Sequence, residues 1–243
     1  MSIHDTPAGP FGYCGPLNRA ERLALSEGQR AAALLAGQGS PPAPPAIEVR
    51  DDPAAGLAFM LGNVGPATVV AIHPEQNSIA AAWLDRITLD AVAAWATKQS
   101  KAGFNLYFTP NLPTMGLARK PAKAEMTALR ALYADVDAKG ETSLAAAYAA
   151  ILALPMPPAS FVIATGGGFQ PVWLFEAPMR ATPDLVAQAE RDGAEVARLA
   201  GGDSVQNVDR ILRLPFTMNH PNAKKCDAGR VPCPSGLVLG VAR

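Results

Sequence analysis

The order in which strands and helices alternate constrains a fold tightly, and from Arg130 to Leu214 that order is explicit. Arg130 to Val136 is a short apolar run meeting a loop at Lys139-Gly140, which reads as a buried strand. Thr142 to Leu154 reads as a helix stopped by Pro155, and Ser160 to Ala164 as a strand. Gly166-Gly167-Gly168 then forms a turn into a second strand, Phe169 to Phe175, giving a hairpin. Thr182-Pro183-Asp184 starts a helix with a cap and a proline at its first position, reaching Ala200 before Gly201-Gly202. Val208 to Leu214 closes the series as a strand or extended segment. That is β-α-β-β-α-β, the split arrangement of ferredoxin-like and RNA-recognition folds, and it places the chain in the α/β (α+β) class. It also puts the first and third strands side by side in an antiparallel sheet, so residues at their ends come close in space.

Upstream, the clearest boundary is the Pro-rich linker Gly39 to Pro45. It separates residues 1–45, with a helical stretch at Leu17 to Gly37, from a folded domain expected over 46–243. An N-terminal α/β module precedes the βαββαβ core. Thr68 to Ile72, Ser78 to Leu84 and Phe104 to Thr109 read as strands, Thr88 caps a helix running to about Ser100, and Pro121 to Leu129 reads as a short helix.

Composition bounds the function classes. Hydrophobic content is 49% and charged content 17%, with equal numbers of acids and bases, so net charge implies neither nucleic acid nor membrane. Distribution says more. Six basic residues lie between Lys98 and Arg130 against Glu125, and five between Arg210 and Arg230 against Asp227. Three cysteines without C-x-x-C spacing point to no disulfide framework, and a zinc site from His220, Cys226 and Cys233 lacks a fourth ligand. The long uncharged stretches Pro53 to Ile72 and Thr142 to Phe175 are both broken, so no membrane span and a cytoplasmic protein are expected.

Side chains alternate along a strand, so Asp135 and Asp137 leave it on one face. Two close carboxylates repel, and a hard divalent cation, Mg2+ or Mn2+, is the usual remedy; the alternative is a surface D-x-D turn. Asp209 at the last segment is the candidate third carboxylate, with Arg210 and Arg213 behind it to hold a triphosphate. Asp203, after Gly201-Gly202, competes for that place but reads as a turn or cap. Thr165, Gly166, Gly167 and Gly168 permit close backbone approach and an anion nest, with Gln170 following; Trp173 reads as core. Tyr107 and Phe108 are adjacent, so only one of them is buried by a one-sided sheet.

ALYADVD, SFVIATGGGFQPVWLF and GGDSVQNVDRILRLPFTMNHPNAKK, in this order and spacing, resemble the archaeo-eukaryotic primase superfamily. The nearest likeness is to primase-polymerase domains of phage and plasmid replication proteins, over roughly Phe104 to Arg230. The resemblance implies a catalytic core at about 104–230 and a metal set of Asp135, Asp137 and Asp209. It implies nucleotide contacts from Thr165 to Gly168, Gln170, Arg210, Arg213, Asn219 and Lys224. Template-directed nucleotidyl transfer follows as the expected activity, with nucleoside triphosphates and single-stranded DNA as partners and a replicative helicase as a further one. Tyr107, Arg119, Lys120 and Lys123 are the expected template contacts. Two positions depart from the pattern: Gln170 stands where many relatives have His, and Phe216 where they commonly have Gly. A non-catalytic module binding single-stranded DNA or an origin, and a metal-dependent nuclease, are the competing expectations.

Overall fold

The structure is a computed structural model and describes residues 44–138, 143–204, 206–227 and 229–240. The predicted helix at Leu17 to Gly37, most of the Pro-rich linker and the Lys139-Gly140 turn lie outside the described residues. The elements, in chain order, are β1 (Ile47–Val49), α1 (Pro53–Asn63), β2 (Ala67–Ile72), β3 (Ile79–Leu84), α2 (Leu89–Lys101), β4 (Asn105–Phe108) and β5 (Leu112–Pro113). A 3₁₀ turn at Lys123–Glu125 leads into β6 (Met126–Tyr133), β7 (Val136–Asp137), α3 (Leu144–Leu152), β8 (Phe161–Ala164), β9 (Gly168–Arg180) and α4 (Pro183–Leu199). Last come β10 (Leu212–Arg213), β11 (Met218–Asn219), α5 (Ala223–Asp227), β12 (Cys233–Pro234) and β13 (Gly236–Val238).

Two antiparallel sheets carry the fold, which is mixed α/β as the sequence implies. The larger runs β1-β13-β8-β9-β6-β5, with β7 also paired to β9; the smaller runs β10-β4-β2-β3. Alternation along the strands of the large sheet divides its side chains between two cores. Leu129, Leu132, Val162, Phe169, Trp173 and Phe175 pack with Ala147 and Ile151 of α3 and with Ala189 and Val196 of α4. Ala131, Tyr133, Phe161, Ile163 and Val172, on the other face, pack with Val69, Ala71, Leu106, Phe108 and Leu212 of the small sheet and with Leu57 and Met60 of α1. Trp173 is core, as expected.

The first and third strands of the predicted core, β6 and β9, do lie side by side, Leu132 opposite Trp173, and β8 and β9 form the hairpin. The last strand departs from the expected arrangement. β10 does not flank β6, because β5 already occupies that edge, pairing Leu112 with Ala128. β10 pairs β4 instead, Arg213 opposite Tyr107, and so lies at the edge of the small sheet. The helix expected at Pro121 to Leu129 is only the 3₁₀ turn followed by a strand. Glu125 turns back to accept from the Ala122 N–H and from Arg119, closing that turn before a helix propagates. Helix α1, which no periodicity announced, starts from side-chain signals: Asp52 accepts from the Ala55 N–H at 3.0 Å, and Pro53 opens the helix.

Candidate active site

Ala134 and Val136 are buried in the α3/α4 core, so Asp135 and Asp137 point to the other face, toward the small sheet. Val136 pairs with Phe169 and Asp137 with Gly168, which places the acids against the start of β9. Gly168 is required there. A Cβ on it would sit 2.3 Å from the Val136 carbonyl oxygen and 2.6 Å from Asp137 Cα, so the close approach leaves room for hydrogen alone. Thr165 closes the hairpin by donating its N–H to the Gly168 carbonyl at 2.9 Å, and Gly166 turns it at φ +86°.

Two further acids, Asp209 and Asp203, are candidates to stand with this pair. Asp209 is held by Lys120, Nζ to Oδ2 3.1 Å. The backbone of Asp203 docks on Asp135, its N–H donating to the Asp135 carbonyl at 2.8 Å. Gly202 permits this, since a Cβ on it would lie 2.6 Å from that same carbonyl oxygen. What reads in sequence as a generic Gly-Gly turn is a loop docked onto the Asp135 backbone. Burial first, then repulsion from Asp137, pushes the Asp135 carboxyl above the usual range. A hydrogen bond from Gln170 and the Arg210 guanidinium act in the opposite direction, and Asp203 adds to the repulsion. Arg210 Nη2 stands 3.7 Å from Asp135 Oδ2.

A half-buried carboxylate crowded by a second one is the condition a divalent cation relieves, and acid oxygens are the donors Mg2+ or Mn2+ prefers. Among the described residues no three His, Cys, Asp or Glu side chains already converge to hold a metal ion. Asp135, Asp137 and Asp209 are not gathered into such a group among the described residues. His220, Cys226 and Cys233 form no such group either.

On the far side of the hairpin lies a cleft of about 360 Å³, lined among others by Ala138, Gly166, Gly167, Asn219, Lys225 and Arg230. Ala138 follows Asp137 directly and donates its N–H to the Gly167 carbonyl at 2.9 Å, so acids and cleft share one turn of chain. Arg230 lies over Gly167, where a Cβ would come within 2.4 Å of Nη1. Lys225 and Arg230 make no ion pair with a described carboxylate. Lys224 is exposed on α5, beside the cleft-lining Lys225. The sequence showed both Lys225 and Arg230 as members of a basic patch, but nothing in it separates paired from unpaired cations.

Arg213 is buried and spends its guanidinium on neutral partners: Asn105 Oδ1 at 2.9 Å, Asn219 Oδ1 at 2.7 Å and the Tyr107 hydroxyl at 3.1 Å. It also stacks on the Tyr107 ring, 4.4 Å from the centroid. Asn219 in turn donates to the Thr165 carbonyl at 2.7 Å, so this arginine braces the hairpin from behind. Tyr107 is half-buried and Phe108 fully buried, and one face of the Tyr107 ring is already covered. The expected template patch is neutralised by carboxylates that the fold brings to it. Arg119 forms a two-pronged pair with Glu125 at 2.5 and 2.7 Å, Lys120 pairs with Asp209, and Lys123 Nζ sits 2.7 Å from Glu190 Oε1. Arg130 is buried among carbonyls.

No described helix is long and apolar enough to cross a membrane. No protein-family model matches the chain, and no curated protein does. Among solved structures it is similar to the crystal structure of the catalytic domain of primase RepB′ in complex with initiator DNA, at 16% identity and a TM-score of 0.48, over 75% of this chain and 84% of that one. It is likewise similar to the crystal structure of primase RepB′, at 16% identity and a TM-score of 0.45, over 69% of this chain and 51% of the other.

Proposed function

We propose that the protein is a metal-dependent nucleotidyltransferase that makes or extends strands on a single-stranded DNA template. One observation carries this reading: the acid pair Asp135–Asp137 and the cations Lys225 and Arg230, unpaired among the described residues, flank the same Gly166–Gly168 hairpin. Carboxylates suit a divalent cation, and cations on a glycine turn suit a polyphosphate, so the two sides together suit a metal–nucleoside triphosphate. Asp135 and Asp137 would hold Mg2+ or Mn2+ with Asp203 as the third acid, and Lys225, Arg230 and the Gly166–Gly167 backbone would hold the triphosphate. When bound, the metal supplies charge neutralisation at the attacking and departing oxygens of an in-line displacement. Arg210, 3.7 Å from Asp135, favours the ionised form of that carboxylate against the larger effects of burial and Asp137.

The test is a single-stranded template with labelled nucleotides and Mn2+ or Mg2+. New or lengthened strands support the reading; retarded but unaltered DNA indicates a binding module, and shortened DNA a nuclease. Asp135→Ala should abolish synthesis while leaving thermal unfolding cooperative. Asp203→Asn should lower the rate by about a hundredfold, against less than about threefold for Asp209→Asn, the range seen on removing one electrostatic group from a site. The reverse ranking would return the third acid to Asp209.

A further inference from the structure

Asn105 opens β4 of the small sheet, opposite Ile72 of β2, and is 6% exposed. Its amide is spent on one residue of the cationic cleft's wall. Nδ2 donates to the His220 carbonyl at 2.9 Å and Oδ1 accepts the His220 N–H at 2.7 Å, so a side chain pairs with His220 as a neighbouring strand would. The match fixes the amide, since a flip would set oxygen against carbonyl and NH2 against N–H. Oδ1 accepts from Arg213 Nη1 as well, at 2.9 Å. His220 stands between Asn219 and Pro221, both of which line the cleft, whereas Asn105 does not.

The chain that follows His220 carries the cations. Asn222 caps α5 by accepting the Lys225 N–H at 3.0 Å, and the Arg230 N–H donates to the Lys225 carbonyl at 3.0 Å. Two points tie this segment to the small sheet: Asn105 on His220, and Glu75, from the loop after β2, which accepts the Ala223 N–H. On the opposite wall, Arg213 donates to Asn219 and Asn219 to the Thr165 carbonyl of the hairpin. Asn105 therefore bonds both the segment that bears the cations and the arginine that braces the glycine turn.

We infer that Asn105 is a positioning residue for the triphosphate. It holds the segment of Lys225 and Arg230 in place against Gly166 and Gly167, and touches no nucleotide itself. This role presupposes the nucleotide site proposed for that cleft.

The test titrates the full chain with GTP and with dGTP in the presence of Mn2+, by calorimetry, and with Mn2+ alone, by electron paramagnetic resonance. Asn105→Asp is nearly isosteric. Beside the Arg213 guanidinium its carboxylate stays ionised, so it still accepts from Arg213 and from the His220 N–H but turns an oxygen on the His220 carbonyl. It should weaken nucleotide binding about fivefold, the worth of one hydrogen bond, while Mn2+ alone binds within about twofold of wild type. Where Lys225 and Arg230 are both replaced by alanine, the same change should cost less than about twofold, because a residue that acts through those cations has nothing left to position. Unchanged nucleotide affinity in Asn105→Asp, an equal loss of Mn2+ binding, or the full loss in the absence of both cations overturns the inference. If Asn105→Asp does not fold, Asn105→Ala, whose vacated space admits water, is measured in the same way and judged by the same outcomes. A wild-type chain that binds neither GTP nor dGTP removes the nucleotide site itself, and the role of Asn105 with it.

Discussion

Four of the described arginines do different jobs, and only their surroundings tell them apart. Arg119 is an exposed partner of Glu125, Arg210 leans on Asp135, Arg213 braces the hairpin, and Arg130 is a buried tie between segments. Arg130 donates to the carbonyls of Pro110 at 3.1 Å, Val64 at 3.0 Å and Pro66 at 2.7 Å, with no carboxylate involved. Burial lowers its pKa to about 10, which still leaves it charged at neutral pH. Arg130→Met keeps the length but leaves these carbonyls and that of Thr109 without their donor, and should cost about 3 kcal/mol in denaturant unfolding. A loss under about 1 kcal/mol would mean that water replaces the guanidinium there. In sequence this residue counts as one more base in a template patch; only the tertiary contacts make it structural.

At the scale of elements, the hairpin β8–β9 was legible because two apolar runs flank three glycines, and each glycine has its own reason in the structure. Gly166 needs a positive φ, Gly167 makes room for Arg230, and Gly168 makes room for Asp137. Gly168→Ala should therefore destabilise by about 3 kcal/mol, as overpacking against backbone does, and should weaken Mn2+ binding because β7 is displaced. Gly62→Ala is the matched control. That glycine lies in α1, where an added Cβ would meet nothing within 4 Å, so the change should raise stability by up to about 1 kcal/mol. Equal thermal shifts in the two variants would refute the close-approach account. Phe216 obeys the same logic in reverse. It adopts φ +60°, a conformation that favours glycine, and is retained in that state with its ring 2% exposed under the Arg50 guanidinium. The sequence departure at this position thus anchors the segment to the N-terminal strand region.

Across the whole molecule, charge that looks clustered along the chain is redistributed by folding. Arg119, Lys120 and Lys123 acquire Glu125, Asp209 and Glu190, two of them from far along the sequence, while Lys225 and Arg230 stand beside the hairpin with no ion-pair partner among the described residues. Removing Arg119, Lys120 and Lys123 together should leave the salt dependence of single-stranded DNA binding nearly unchanged. Removing Lys225 and Arg230, which stand at the triphosphate side of the hairpin, should instead raise the Michaelis constant for the nucleotide by about tenfold. A slope of log affinity against log salt lowered in the triple variant by about 0.7 for each lost phosphate contact, measured by fluorescence anisotropy across a salt series, would restore the template path to the patch at Arg119, Lys120 and Lys123.

By itself the sequence determined the succession β-α-β-β-α, the hairpin, the capped helix at Thr182 and the shared face of Asp135 and Asp137, because each depends on local spacing and on residues that start or stop elements. Tertiary structure alone decided which cation Asp209 takes, which loop docks on Asp135, which described cations lack a carboxylate and which sheet receives β10. Those outcomes depend on contacts between residues well separated in the chain: Lys120 on Asp209, Asp203 on the Asp135 backbone, β5 on the edge of β6. Local spacing has no access to such contacts, since pairing between distant charges and strand edges is settled only when the chain closes on itself.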